Sequence, residues 1–287
     1  MRGLSHSYRG RLAIQDLNLE IPQGSILGFL GPNGAGKTTT IRILLGFLRP
    51  SQGQASIFGL DCWRQSAEIK REVGYIPGDL RLYSWMNAAT ALDLLGKLHG
   101  RDVRAAAGPL LERFRLDPRV AVRAMSRGMR QQLGLILALA PQPRLLILDE
   151  PTMALDPLMQ DQLLDYLQEL AGQGHTVFFS SHTLAEVERI CHRVAILRDG
   201  RLVAHESMSD LRARGEREVR LSFATLEQAS ECQLPACLVE LQRAGCTLRC
   251  QLQGPVAELL AWLAGQSLAD VTLESPNLES IFRGFYA

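Results

Sequence analysis

One short segment constrains the fold more than any other feature of the chain. Gly31-Pro-Asn-Gly-Ala-Gly-Lys-Thr38 fits the pattern G-x4-G-K-[ST]. The apolar run 25–30 precedes it, and apolar residues recur at helical spacing from Lys37 to Leu48. We therefore predict a buried strand, a glycine loop and a helix over 37–48. The pattern indicates a phosphate-binding loop only in this strand–loop–helix context.

The chemistry of this segment predicts a nucleoside triphosphate site. Glycines let successive backbone N–H groups converge on an anion, and the N-terminus of the following helix adds its positive dipole end. Lys37 is expected to reach the β- and γ-phosphates, and the Thr38 hydroxyl to bind Mg²⁺. The predicted nucleotide-binding residues of the loop are Gly31, Pro32, Asn33, Gly34, Ala35, Gly36, Lys37, Thr38 and Thr39.

A second element follows about 110 residues later. The apolar run 145–148 ends in Asp149-Glu150. A carboxylate directly after a buried strand lies at the edge of the sheet, where Asp149 can hold Mg²⁺ through water. Glu150 is then expected to orient and activate the attacking water. Buried strands often end in acidic residues, so this pair alone would be a weak indication of a catalytic site. Its position about 110 residues after a phosphate loop is what makes the indication strong.

The remaining pattern predicts an α/β fold with a mostly parallel sheet. Buried strands are expected at 145–148 and 176–179, helices at 161–170 and 184–191, and a hairpin around Asp199-Gly200. Residues 90–118 show helical spacing only, as in an inserted helical subdomain. After Arg214 the chain changes to alternating strands at 219–223 and 248–252, a helix at 256–263, a short strand at 271–273 and a last amphipathic helix through Leu278 and Phe285.

Composition excludes several classes of protein. The formal net charge is +1, which argues against a broad nucleic-acid surface. The longest apolar run, 133–140, is far shorter than the roughly 20 residues of a membrane span, and no secretory signal is expected at the start. Four of six cysteines cluster between Cys232 and Cys250, but without the C-x2-C pairs of zinc sites. We expect them to pack in a core, with zinc as the lesser alternative.

The sequence resembles the nucleotide-binding subunits of ABC transporters over nearly its whole length. Met125-Ser-Arg-Gly-Met129 is similar to the family's signature L-S-G-G-Q, and retains Ser126 and Gly128. The resemblance implies that these two residues contact the γ-phosphate of ATP held by an opposite subunit, although an ordinary helix N-cap is the simpler interpretation of such a serine. It further implies an adenine-stacking role for Tyr8, a place between the subunits for Asp156, and a γ-phosphate contact for His182.

Two departures from the family stand out. The glutamine that contacts Mg²⁺ in the family falls on Gly78, which has no side chain, and Asp79 is the nearest polar substitute as a metal ligand. Met1 lies only seven residues before Tyr8, so the first strand is expected to be truncated, and a misassigned start codon is an open alternative.

The resemblance implies a P-loop ATPase cassette over residues 1–213, with its helical subdomain at about 84–140, and a small α+β accessory domain over 214–287. The segments 126–132 and 276–282 resemble ATPases that export drugs and antibiotics in bacteria. The expected cofactors are ATP and Mg²⁺. The expected partners are a separate integral-membrane permease and a second ATPase subunit, identical or different, which would hold the chain at the cytoplasmic face of the inner membrane. An importer ATPase, a soluble ABC ATPase that is not a transporter, and a protein that binds ATP without hydrolysis are the alternatives.

Overall fold

The computed structural model describes residues 1–214 and 217–274, and these form two compact units, Met1–Met208 and Ser209–Ala287. The predicted last helix and the segment 276–282 lie outside the described residues. None of the helices in the described ranges is long and apolar enough to cross a membrane.

The first unit is built on a six-stranded sheet with the order β11-β10-β3-β9-β8-β7. Every neighbouring pair is parallel except β10 with β11, which form the predicted hairpin. The strands of this sheet are β3 (Ile26–Leu30), β7 (Val73–Ile76), β8 (Leu145–Asp149), β9 (Thr176–Ser181), β10 (Arg193–Arg198) and β11 (Arg201–Ser207). All residues of β3, β8 and β9 are buried, which explains their continuous apolar sequences and confirms the prediction of a mostly parallel sheet.

The helices of the first unit include the predicted ones, together with a short helix, α2, that was not predicted. They are α1 (Lys37–Leu44), α2 (Ser66–Arg71), α3 (Ala88–His99), α4 (Arg104–Arg113), α5 (Arg127–Leu139), α6 (Pro157–Gly172) and α7 (Leu184–Ile190). The two helices expected between residues 90 and 118 are α3 and α4. The helix predicted over 37–48 is shorter in the structure and ends at Leu44. It ends there because Gly46 adopts a φ of 65° and the N–H groups of Phe47 and Leu48 both donate to the carbonyl of Arg42.

A small antiparallel sheet was not predicted. Its order is β2-β1-β4, and it consists of β1 (Arg2–Tyr8), β2 (Arg11–Leu17) and β4 (Gln52–Gln54). Strand β1, which was expected near the start of the chain, has seven residues and pairs with both neighbours. The short strands β5 (Ser56–Ile57) and β6 (Leu60–Asp61) form a separate ribbon.

The second unit carries a four-stranded antiparallel sheet with the order β13-β14-β12-β15. Its elements are α8 (Met208–Arg214), β12 (Arg217–Ser222), α9 (Leu226–Glu231), β13 (Leu238–Ala244), β14 (Thr247–Leu252), α10 (Val256–Leu263) and β15 (Asp270–Leu273). The predicted strands and helix of this region are present, whereas α9 and β13 were missed. Cys237 and Cys250 are buried in the core of this unit, and Cys232 packs against it, so these thiols act as small apolar side chains.

Candidate functional site

The register of the parallel strands brings three loops to one edge of the sheet. Leu30 lies opposite Ser181, and Ser180 lies opposite Asp149. Strands β3, β9 and β8 therefore end at the same level, and the residues that follow them meet there. Ile76 of β7 is in register with Leu148, which adds the loop at residues 77–79 to the same edge. Ligands of open α/β sheets bind at this carboxyl edge.

Two glycines shape the loop after β3. Gly34 has a φ of 83° and Gly36 a φ of 108°, a region that side chains other than glycine rarely adopt. A Cβ atom at Gly36 would lie 2.6 Å from the Ala13 carbonyl oxygen, so this position also has no room for a side chain. The loop turns sharply into α1, which begins at Lys37, while Pro32, Asn33 and Gly34 remain exposed.

Lys37 is buried at the base of this loop, with only 7% of its side chain exposed. Its Nζ donates to the carbonyl oxygen of Gly31 at 2.5 Å and lies 3.5 Å from Oε1 of Glu150. A buried ammonium group needs such partners, because desolvation of an unpaired charge is costly. The lysine of the loop and the acid at the end of β8 are therefore brought together in the fold.

Asp149 is held by two hydroxyl groups. Thr38 Oγ1 donates to its Oδ2 at 3.0 Å, and Ser180 Oγ donates to its Oδ1 at 2.6 Å. Ser180 was not among the predicted site residues. The signal that could have identified it is its position at the end of β9, directly opposite Asp149 in the parallel register. Burial raises the pKa of the neighbouring Tyr75 hydroxyl to about 12, and the negative charge of Asp149 adds to the effect.

Glu150 bridges two predicted site residues. Its Oε2 lies 2.6 Å from Nδ1 of His182, while its Oε1 faces Lys37. The exposed fractions are 12% for the Glu150 side chain and 58% for His182, so the histidine closes the site toward solvent. Glu150 has a φ of 52°, an unusual value for a residue with a side chain. Its N–H bonds to both the carbonyl and the hydroxyl of Ser180 at 3.2 Å, which fixes this conformation from one side.

The loop after β7 places a glycine, and not the predicted acid, beside Asp149. A Cβ atom at Gly78 would lie 3.5 Å from the Asp149 carbonyl oxygen and 3.6 Å from its Oδ2. Asp79 is exposed, and its carboxylate pairs with Nε and Nη2 of Arg81 at 3.0 and 2.8 Å. The structure thus brings Thr38 and Asp149 together as predicted metal ligands, but it turns the side chain of Asp79 to Arg81 instead.

Ser126 and Gly128 open helix α5. Ser126 is its N-cap, and its Oγ accepts from the Met129 N–H at 3.1 Å. Since the cap uses the hydroxyl as an acceptor, its proton can still be donated to an anion. A Cβ atom at Gly128 would lie 2.9 Å from the Ala154 carbonyl oxygen, so the start of α5 packs closely on the loop that follows Glu150. Asp156 caps α6 by accepting from the Met159 N–H at 2.9 Å.

Two predicted residues, Tyr8 and Thr39, remain to be placed. Tyr8 ends β1, is partly exposed, and packs edge-on against His6 with ring centroids 4.8 Å apart. Thr39 follows Thr38 in the first turn of α1 and is half-buried.

Comparison with known proteins identifies the family. The family model described as ABC transporter matches residues 14–153. The chain is 33% identical to the daunorubicin resistance ATP-binding protein DrrA3 of Streptomyces coeruleorubidus, over 98% of this chain and 93% of that protein.

The chain belongs to the ATP-binding proteins of ABC transporters. It is also 36% identical to the bacitracin transport ATP-binding protein BcrA of Bacillus licheniformis, over 79% of this chain and 75% of that protein. A solved structure of the ATP-binding subunit of an ABC transporter superposes with a TM-score of 0.70 and 31% identity, over 74% of this chain and 91% of that one. The predicted cassette fold is thereby confirmed, and this ABC protein is an ATPase.

Proposed function

We propose that this ABC ATPase energises the export of a drug-like, antibiotic-like or lipid-like substrate through a separate membrane permease. Residues 1–213 would form the cassette and 214–287 an accessory domain. Export is supported by the names of its relatives, one of which concerns daunorubicin resistance and another bacitracin transport. The similarity to the first extends over 98% of the chain and so includes the C-terminal unit.

Hydrolysis is supported above all by the convergence on Glu150. The carboxylate lies 3.5 Å from Lys37 Nζ and 2.6 Å from His182 Nδ1. When ATP fills the loop, Lys37 would turn to the β- and γ-phosphates, which frees Oε1 of Glu150 to accept a proton from the attacking water. His182 would keep the carboxylate oriented and donate to the γ-phosphate from the exposed side of the site.

The ligands around Asp149 fit Mg²⁺. Carboxylate and hydroxyl oxygens are the donors that this cation prefers, and Asp149 and Thr38 already lie within 3.0 Å of each other. When bound, the metal ion would neutralise charge on the phosphates. Ser180 would donate a hydrogen bond to Oδ1 of Asp149 and so keep Oδ2 oriented toward the metal ion.

We further propose that two ATPase subunits sandwich the nucleotides. In this arrangement Ser126 and Gly128 at the start of α5 would contact the γ-phosphate bound by the partner, with Asp156 between the subunits and Tyr8 against adenine. Two features support the contact at α5: the Ser126 hydroxyl can donate while it caps the helix, and the first turn of α5 contains no acidic residue.

The permease would dock next to residues 77–79. Tyr83 and Trp85 follow this loop with exposed fractions of 68% and 67%, and their rings stack with centroids 6.0 Å apart. Exposed paired aromatic residues are typical of protein interfaces. Such docking would make the ATPase a peripheral protein of the inner membrane's cytoplasmic face.

Glu150→Gln tests the hydrolytic role. The variant should bind ATP normally, because the amide keeps the shape of the carboxyl group, but turnover should fall by about 100-fold or more since the amide cannot accept a proton. It should also accumulate as an ATP-bound dimer, which size-exclusion chromatography would detect. Glu112→Gln, an exchange of an exposed glutamate on α4, is the control. Wild-type turnover in Glu150→Gln would contradict the role of Glu150.

Export itself is tested with a candidate permease, to be sought among polytopic membrane proteins encoded near this gene. Cells that express both proteins should lose preloaded daunorubicin faster than cells carrying the Glu150→Gln variant. Equal retention in both strains, for bacitracin as well as daunorubicin, would contradict export of compounds of this kind.

A further inference from the structure

Helix α5 contains a buried amide that the catalytic scheme above does not use. Gln131 is one of the few buried polar residues among those described, and its Nε2 donates to the Pro151 carbonyl oxygen at 2.9 Å. Burying a glutamine is unfavourable unless its amide finds a partner, and this hydrogen bond supplies one. The bond joins α5 to the residue directly after Glu150.

The position of that carbonyl gives the bond its significance. Glu150 is held at a φ of 52°, and such a conformation persists only where the surroundings define it on both sides. Ser180 fixes the Glu150 N–H on the side of β9. On the other side, Gln131 holds the carbonyl of Pro151, the residue that follows Glu150. The backbone around Glu150 is therefore flanked by one hydrogen-bonded contact from β9 and one from α5.

Helix α5 touches the same loop at two further points. Arg127 Nη2 lies 3.2 Å from the sulfur of Met153, and Gly128 packs against the Ala154 carbonyl. Both residues lie in the first turn of α5, beside Ser126. The first two turns of α5 therefore contact residues 151, 153 and 154, the segment that directly follows Glu150.

We propose that Gln131 is a positioning residue that couples the two nucleotide sites of the ATPase dimer. Contact of Ser126 and Gly128 with the partner's nucleotide sets the position of α5. Through the Gln131–Pro151 hydrogen bond, the position of α5 then sets the orientation of Glu150, the base for hydrolysis of this subunit's own ATP. The inference rests on the proposed function, in particular on the sandwiched dimer and on Glu150 as the base.

Gln131→Leu removes the donor and keeps a side chain of similar volume. The expected result is unchanged affinity for a fluorescent ATP analogue, a kcat lowered by about tenfold, and a Hill coefficient for ATP that falls from above 1 toward 1. Gln160→Leu is the matched control, because Gln160 donates to Thr152 and Leu155 in the same loop from α6, at 3.3 and 3.2 Å. It should keep the wild-type Hill coefficient.

Gln131→Glu adds a readout that packing alone would not produce. A protonated glutamic acid can donate to the Pro151 carbonyl, whereas the ionised form cannot. The kcat of this variant relative to wild type should therefore rise as the pH is lowered, and a ratio that does not change with pH would overturn the proposal.

Two further outcomes are decisive. A wild-type Hill coefficient of 1, or equal losses in Gln131→Leu and Gln160→Leu that follow their melting temperatures, would overturn the coupling. Failure of Glu150→Gln to form an ATP-bound dimer would instead contradict the proposed function, and is measured separately.

Discussion

Single residues at the carboxyl edge of the sheet owe their properties to partners that are distant in sequence. Glu150 is placed by Ser180, paired with Lys37 and contacted by His182. Lys37 comes from the loop after β3, whereas Ser180 and His182 come from the end of β9, so the site is completed only when β3, β8 and β9 are in register.

Lys37→Ala should weaken ATP binding by about 100-fold or more, since it removes the cation that meets the phosphates and leaves Glu150 buried without its ion pair. Isothermal titration calorimetry measures the affinity. The chain has only two other lysines, and Lys97→Ala, on the exposed side of α3, is the control. Unchanged affinity in Lys37→Ala would refute the role assigned to the glycine loop.

At the scale of elements, α5 combines two tasks at its N-terminus. Ser126 satisfies a backbone N–H of the first turn, and the same hydroxyl is proposed to donate to the partner's nucleotide. Helix α3 provides a comparison, because Asn87 caps it by accepting from the Thr90 N–H at 2.9 Å and lies on a helix with no proposed catalytic contact.

Ser126→Ala and Asn87→Ala should each cost about 1 kcal/mol of stability through loss of the cap. Only Ser126→Ala should also lower ATPase activity, by about tenfold, because one hydrogen bond to the phosphate is lost as well. Thermal melts and steady-state hydrolysis separate the two effects. If both variants keep full activity at a temperature where they are folded, Ser126 is a cap and nothing more.

The same comparison of elements shows where patterns in the sequence sufficed. The continuous apolar strands β3, β8 and β9 and the hairpin at Asp199-Gly200 were predictable because burial and turn geometry are local requirements. Strands β4 and β13 were not. Both strands are mostly exposed, so no apolar period marks them and their pairing with β1 and β14 determines them.

For the whole molecule, the proposed partner surface is the exposed aromatic pair Tyr83 and Trp85, which follows the loop at residues 77–79. The double variant Tyr83→Ala/Trp85→Ala should keep basal ATPase activity, because neither residue belongs to the site, and should lose co-purification with the permease. Trp63→Ala, which also removes an exposed aromatic ring, is the control. Full retention of the permease by the double variant would exclude this patch as the docking surface.

The amino-acid sequence alone predicted the phosphate loop, because phosphate binding requires particular residues at short, fixed spacings. It predicted Asp149 and Glu150 from the apolar run that precedes them, and His182 through the resemblance to ABC ATPases. It did not determine how these groups are held. The register between β8 and β9 places Ser180 opposite Asp149, and the packing of α5 on the loop after Glu150 places Gln131 beside Pro151. The side chain of Asp79 pairs with Arg81 and not with the site residues. Spacing along the chain records none of these contacts, because each depends on the distance in space between segments that only the tertiary structure brings together.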